Sequence, residues 1–163
     1  MLIVDAHCDS LTRAVNNKKS LIRNSFHWDI KRALEYNGFI QVLAVFQNPD
    51  FKKPTFEDAI RYINEAGKIE SQNSFFKICK NYNDIQDGLK NKQVCGILSI
   101  EGGEALEGKV ENLDKFYNAG VRIITLTWNY ANELGDGAST QNNGGLTYFG
   151  RQIVRLMQQK GMI

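Results

Sequence analysis

His7 and Asp9 stand two residues apart at the end of a short apolar run, residues 2–6. If that run is a strand, its period of two points both side chains to one face and sends Cys8 to the other, where it reads as buried packing. An imidazole beside a carboxylate can grip one metal ion, and both groups are good zinc ligands. The same pair can do no more than close a strand end through a His–Asp hydrogen bond, and the spacing alone does not choose. Glu101 is the third candidate. It ends a second apolar run, residues 94–100, and is followed by Gly102 and Gly103, a pattern that predicts open space above the carboxylate. Such a carboxylate could join His7 and Asp9, or share its two oxygens between two ions and hold them close enough to polarise one water. The plain alternative is a solvated Glu before a turn. His27, next to a predicted helix start, reads as a surface or capping residue.

These groups need elements to position them. Residues 2–6 are too brief for a helix and carry two β-branched side chains, so they read as a strand. Asp29 stands as an N-cap before Ile30, Ala33 and Leu34, and Asn37-Gly38 ends that helix. Residues 39–46 are almost continuously apolar, the pattern of a parallel strand covered on both faces. Thr55 and Asp58 form a capping-box signature for a long helix carrying Phe56, Ile60, Ile63 and Ala66. Residues 75–79 read as a minor strand, 84–89 as a short helix, 94–100 as the third main strand and 121–127 as the fourth. Between the last two, Leu113, Phe116 and Tyr117 mark a helix that Gly120 stops. The Gly-rich loop 129–145 reads either as a lid or as a solvated connection. Thr147 then caps a helix with Phe149, Ile153 and Met157, ended by Gly161.

Four strand-then-helix units result, and Met162-Ile163 looks like the opening of a fifth strand. That order belongs to α/β folds, either an open doubly wound sheet or a (β/α)8 barrel. The first βα turn, His7-Cys8-Asp9-Ser10, offers ligands where nucleotide binders place bare glycines, and GxGxxG and GxxxxGK[ST] are absent from the sequence. The barrel is therefore favoured. Because four units are half of eight, residues 1–163 are expected to be the N-terminal portion of a single (β/α)8 barrel domain, truncated at its C-terminus.

Composition sets the remaining bounds. With 42% hydrophobic and 23% charged residues the chain is compositionally globular. Its 20 Lys and Arg against 18 Asp and Glu leave a charge of +2 with no basic stripe, so no nucleic-acid partner is expected. The sequence has no stretch of about 18 apolar residues to span a bilayer and no signal-like start, so no membrane partner and a cytoplasmic location are expected. Cys8, Cys79 and Cys95 are odd in number and not in CxxC spacing, and read as reduced thiols.

Four segments in order, Asp5-Ala6-His7-Cys8-Asp9-Ser10, residues 96–103 ending in Glu101-Gly102-Gly103, residues 120–129 ending in Trp128-Asn129, and residues 144–150, resemble the membrane dipeptidase (renal dipeptidase, peptidase M19) family. The resemblance is collinear over nearly the whole chain. It implies a (β/α)8 metal-dependent hydrolase of about twice this length, with two zinc ions and dipeptides as substrates, some with a C-terminal D-residue. It also implies that His7 and Asp9 bind the first zinc, that Glu101 bridges both, and that a bridging hydroxide attacks the scissile carbonyl. The family's two remaining histidine ligands and its proton-handling Asp would lie beyond Ile163, so this chain alone would be inactive, and a homo-oligomer stays open for the full-length protein. Mammalian members carry a substrate-contacting His where this chain has Trp128. Trp has one N–H donor and no acceptor, which leaves stacking against substrate, or simple core packing, as its role. Two rivals remain: a barrel amidohydrolase acting on a non-peptide amide or lactam, and a non-catalytic half-barrel that binds a metal or a partner.

Overall fold

In the computed structural model, which describes residues 1–141 and 144–163, the chain forms two compact units, Met1–Val45 with Arg61–Leu98, and Phe46–Ile60 with Ser99–Ile163.

The first unit is built on β1 (Leu2–Cys8), β2 (Gly38–Phe46, up to Val45), β3 (Phe76–Ile78) and the first part of β4 (Val94–Glu101), in the sheet order β1-β2-β4-β3. β1 lies parallel to β2, and β3 parallel to β4. The continuous apolar run in β2 has the burial its pattern predicts: every residue from Gly38 to Val45 is buried. Helices α1 (Ser10–Asn16), α2 (Ile30–Ala33), α4 (Tyr82–Lys90) and most of α3 (Phe56–Gln72) complete this unit. Leu11, Leu21, Ile30, Leu43, Phe76 and Leu98 are almost wholly buried.

Polar contacts fix how these elements meet. The Tyr62 hydroxyl donates to Asn16 Oδ1 at 2.7 Å, tying α3 to α1, and Glu70 Oε1 accepts the Ile78 N–H at 2.7 Å, tying α3 to β3. α1 was not among the expected elements. Its N-cap residue Asp9 makes no side-chain capping bond, so the local signature that announces a helix start is absent. The expected helix at Asp29 is a single turn, capped as predicted: the Asp29 carboxylate accepts the Arg32 N–H.

The second unit holds the end of β4, a 3-10 turn at Gly103–Leu106, α5 (Val110–Asn118), β5 (Val121–Thr125) and α6 (Tyr148–Gln159). β5 pairs with β4 and ends two residues earlier than the sequence pattern suggests. Thr55 caps α3 as predicted, with its Oγ accepting the Asp58 N–H at 3.2 Å, but the reciprocal half of the capping box goes elsewhere. The Thr55 N–H donates to Gln47 Oε1 at 3.0 Å, and Gln47 Nε2 returns a bond to the Thr55 carbonyl at 2.9 Å. At the other end of the unit, the Ile163 N–H donates to the Arg122 carbonyl at 2.9 Å and its carbonyl accepts the Ile124 N–H at 2.8 Å. Those two bonds are the pattern of a parallel bridge alongside β5.

The loop expected as a lid or a solvated connection, 129–145, is anchored; its Asn142 and Asn143 lie outside the described residues. Leu134 in that loop is fully buried. Its carbonyl accepts the Thr147 N–H at 2.9 Å, and Thr147 in turn caps α6 by accepting the Gly150 N–H at 2.9 Å. A Cβ on Gly103 would lie 1.7 Å from Leu134 Cδ1, and one on Gly150 would lie 1.9 Å from the Leu134 carbonyl oxygen. Both glycines therefore admit Leu134. This corrects the expectation that Gly102-Gly103 leaves open space above Glu101: the room at Gly103 is filled by a leucine.

Candidate metal centre

His7 is the last residue but one of β1, and Asp9 follows the strand as the N-cap of α1. The pairing of β1 with β2 shifts register between Asp5 and Cys8, an irregularity that breaks the simple alternation just before the candidate ligands. His7 Nε2 and Asp9 Oδ1 nevertheless lie 3.6 Å apart, with each side chain about half exposed, 51% and 53%. Two ligand atoms bound to one tetrahedral zinc at the usual lengths are roughly 3.4 Å apart. The separation of the pair is close to that value, and both side chains are reached by solvent. Asp9 has its carboxylate available because α1 does not use it as a cap. The backbone carbonyl of Asp9 accepts both the Arg13 N–H and the Thr12 hydroxyl at 3.0 Å, which holds the main chain of the turn in place. The His7 N–H donates to Asp5 Oδ1 at 3.2 Å.

Cys8, expected as buried packing, is only half-buried in the structure. The thiol is bonded to its neighbour: Sγ–H donates to Ser10 Oγ at 2.9 Å and Sγ accepts the Ser10 N–H at 3.3 Å. Burial pushes the thiol up from its ordinary range, against those hydrogen bonds, which lower it. A cavity of about 750 Å³ opens beside the pair within the first unit, and Asp5, Cys8, Arg13, Phe26 and His27 line it together with His7 and Asp9. His27 is exposed there and does not cap α2, a task Asp29 performs. Sequence reasoning missed Arg13. Its signal was the spacing of four from Asp9, which shares a helix face once α1 is recognised.

In the second unit, Glu101 is the last residue of β4 and is half-buried. His7, Asp9 and Glu101 each offer a ligand atom, an imidazole nitrogen or a carboxylate oxygen. Trp128 follows β5 and is half-buried in an aromatic cluster. Its ring centroid lies 5.0 Å from that of Phe46 and 6.3 Å from that of Tyr130, whose hydroxyl donates to Asp50 Oδ1 at 2.7 Å.

An α/β fold with parallel strands, carrying imidazole and carboxylate groups at the carboxyl ends of its strands, defines the class of barrel hydrolases that work with metal ions. A family model, membrane dipeptidase (peptidase family M19), matches residues 1–163. The chain belongs to that family. Dipeptidase 3 of Mus musculus is 31% identical over 99 residues, covering 53% of this chain and 20% of that protein. Among solved structures, dipeptidase AC, a metallopeptidase of family M19, matches with a TM-score of 0.84 and 21% identity, over 100% of this chain and 55% of its own. A metallopeptidase from Rhodobacter sphaeroides, liganded with a phosphinate mimic of the dipeptide L-Ala-D-Ala, matches with a TM-score of 0.77 and 20% identity, over 100% and 57%. These two likenesses establish the fold, as the barrel expectation required. The chain spans 55% and 57% of these two structures, 20% of Dipeptidase 3 and 61% of a curated relative from Acinetobacter calcoaceticus. Among the described residues, no helix is long and apolar enough to cross a membrane.

Proposed function

We propose that residues 1–163 are the N-terminal portion of a single (β/α)8 domain whose full-length form is a zinc-dependent dipeptidase. Membership of the M19 family supports the reaction class, and the half-length coverage of its structural relatives supports the domain assignment. The observation that carries the metal reading is the 3.6 Å separation of His7 Nε2 and Asp9 Oδ1 at the end of β1. In this reading His7 and Asp9 hold one ion, and Glu101 contributes its carboxylate to a site of two ions. When bound, zinc supplies Lewis acidity toward the scissile carbonyl and lowers the pKa of water.

The chain's own residues do the positioning. The Asp9 main chain, held by Thr12 and Arg13, fixes the turn that presents the carboxylate, while the hydrogen bond from the His7 N–H to Asp5 fixes the backbone of the imidazole. Trp128 offers a ring face to the substrate from its cluster with Phe46 and Tyr130. The proposed location is cytoplasmic; the free thiols Cys79 and Cys95, buried in the first unit, suit a reducing compartment.

The test is hydrolysis by the metal-loaded full-length protein of a dipeptide panel, including C-terminal D-residues, against a panel of lactams and cyclic amides. Turnover of dipeptides that disappears on chelation and returns with zinc is the expected result. Preference for the cyclic amides would replace the dipeptidase by the amidohydrolase reading, and full activity in chelator would remove the metal.

A further inference from the structure

Gln41 is the only polar side chain of β2, and it is wholly buried among apolar neighbours on the same strand. Taking an amide out of water costs free energy unless its hydrogen bonds are remade, and only the donor half of this one is. Nε2 donates to two main-chain carbonyls, that of Asp5 in β1 at 3.3 Å and that of Val42 in β2 at 3.1 Å. Oε1 is sealed from solvent, and among the described residues it has no partner. Turning the amide over would aim Oε1 at two carbonyl oxygens, so the carbonyls fix its orientation. The other buried polar side chains of the first unit, Ser10, Thr12 and Asp29, bond groups no more than five residues away. Gln41 reaches back 36 residues to Asp5.

The place it reaches is where the sheet loses its register. Asp5 pairs with Gln41, and pairing resumes with Cys8 opposite Leu43, so β1 takes three steps where β2 takes two. A ladder interrupted in this way needs a contact outside its own repeat to hold one register. The Gln41 amide supplies that contact from the buried side, joining the Asp5 carbonyl on one strand to the Val42 carbonyl on the other. Asp5 passes the constraint on, because its Oδ1 accepts the His7 N–H at 3.2 Å. The backbone of His7 is thereby linked through Asp5 to a fixed group inside β2. Stability alone gives little reason for an amide here: an apolar side chain of the same length would lose two long hydrogen bonds but would also remove the unpartnered Oε1, and the two effects oppose each other.

We propose that Gln41 is a positioning residue for the metal centre: its buried amide pins the irregular end of β1 to β2 and so holds the backbone from which His7 reaches the ion beside Asp9. This rests on the reading of His7 and Asp9 as metal ligands and assigns the group that keeps them in place.

The test compares wild type with Gln41→Met, which keeps the length of the side chain and loses the amide, in the full-length protein. Zinc affinity is read by competition with a chromophoric chelator, stability of the metal-free protein by urea unfolding, and amide hydrogen exchange over residues 5–9 by mass spectrometry. Groups that orient metal ligands from outside the coordination shell are typically worth 10- to 100-fold in metal affinity. Gln41→Met should therefore weaken zinc binding by about 10- to 100-fold and speed exchange at residues 6–8, while the urea midpoint moves little and exchange in α3 is unchanged. Unchanged zinc affinity, or a loss of affinity accompanied by a matching loss of metal-free stability, would make Gln41 an ordinary core residue and overturn the proposal. If wild type binds no zinc, the metal reading fails by itself. Exchange still decides the inference in that case: acceleration confined to residues 6–8 supports Gln41 as the anchor of His7, and exchange that is unchanged, or raised across the whole sheet, refutes it. Should Gln41→Met not fold, Gln41→Asn, which carries the amide on a shorter arm, is read by the same three measurements with the same outcomes.

Discussion

Replacing Gly103 by alanine tests the packing that locks the 129–145 loop onto the end of β4. The added Cβ would lie 1.7 Å from Leu134 Cδ1, 3.2 Å from Leu134 Cγ and 2.9 Å from the Leu126 carbonyl oxygen. Carbon atoms at rest are about 3.5–4.0 Å apart, so the leucine must retreat by roughly 2 Å. Leu134 is fully buried, and its backbone is fixed by the Thr147 N–H and by the close approach of Gly150, so it has little room to move. Gly103 has no positive φ, and alanine there would by itself gain about 0.4–1 kcal/mol from the unfolded state. Overpacking outweighs that gain, and Gly103→Ala should cost about 1–3 kcal/mol, a fall in Tm of roughly 2–12 °C. Leu134→Ala alone should cost about 2–5 kcal/mol through the cavity it leaves. In the double variant the new methyl enters that cavity, so the two costs should fall short of their sum by at least about 1 kcal/mol. Urea unfolding of the four proteins in the full-length background reads the cycle. Costs that add to within about 0.5 kcal/mol, or a Gly103→Ala protein as stable as wild type, would show that Leu134 does not fill the space at Gly103.

Three further outcomes are expected. His7→Ala and Asp9→Ala should each lower bound zinc, read by elemental analysis of the full-length protein, and abolish turnover; full metal stoichiometry in both would refute their role as ligands. Burial alone would raise the Asp29 carboxyl, but hydrogen bonds from the Arg32 and Asn24 N–H groups and the Arg32 guanidinium outweigh it and hold the group below the usual carboxylate range. A depressed folded value stabilises the protein above the unfolded value, about 3.9, and that contribution is lost as pH falls through the folded value. Asp29→Asn should therefore be less stable by about 1–2 kcal/mol at pH 7, with the difference vanishing toward pH 2 in chemical unfolding; a gap independent of pH would contradict this. Trp128→Ala should raise KM by several-fold to about 100-fold with metal content unchanged, whereas an unaltered KM would assign the ring to packing with Phe46 alone.

The sequence by itself determined the elements whose causes are local. The uninterrupted apolar run of β2 reports burial on both faces because each residue carries its own preference for leaving water. Thr147 and Asp29 announce helix starts because an N-cap bonds an N–H three residues on. The His7–Asp9 spacing announced a close imidazole–carboxylate pair for the same reason, since both side chains leave one short stretch of backbone. Tertiary structure alone decided what depends on partners distant along the chain. Helix α1 was hidden because Asp9 keeps its carboxylate out of capping and leaves it beside His7. Gln47 took the Thr55 N–H that the capping-box pattern assigns to Asp58. Gly103 read as space for Glu101 and proved to be space for Leu134, because a missing side chain specifies a void without saying which residue fills it. Arg13 comes to line the cavity beside His7 and Asp9 only once α1 and the ring of Phe26 are in place.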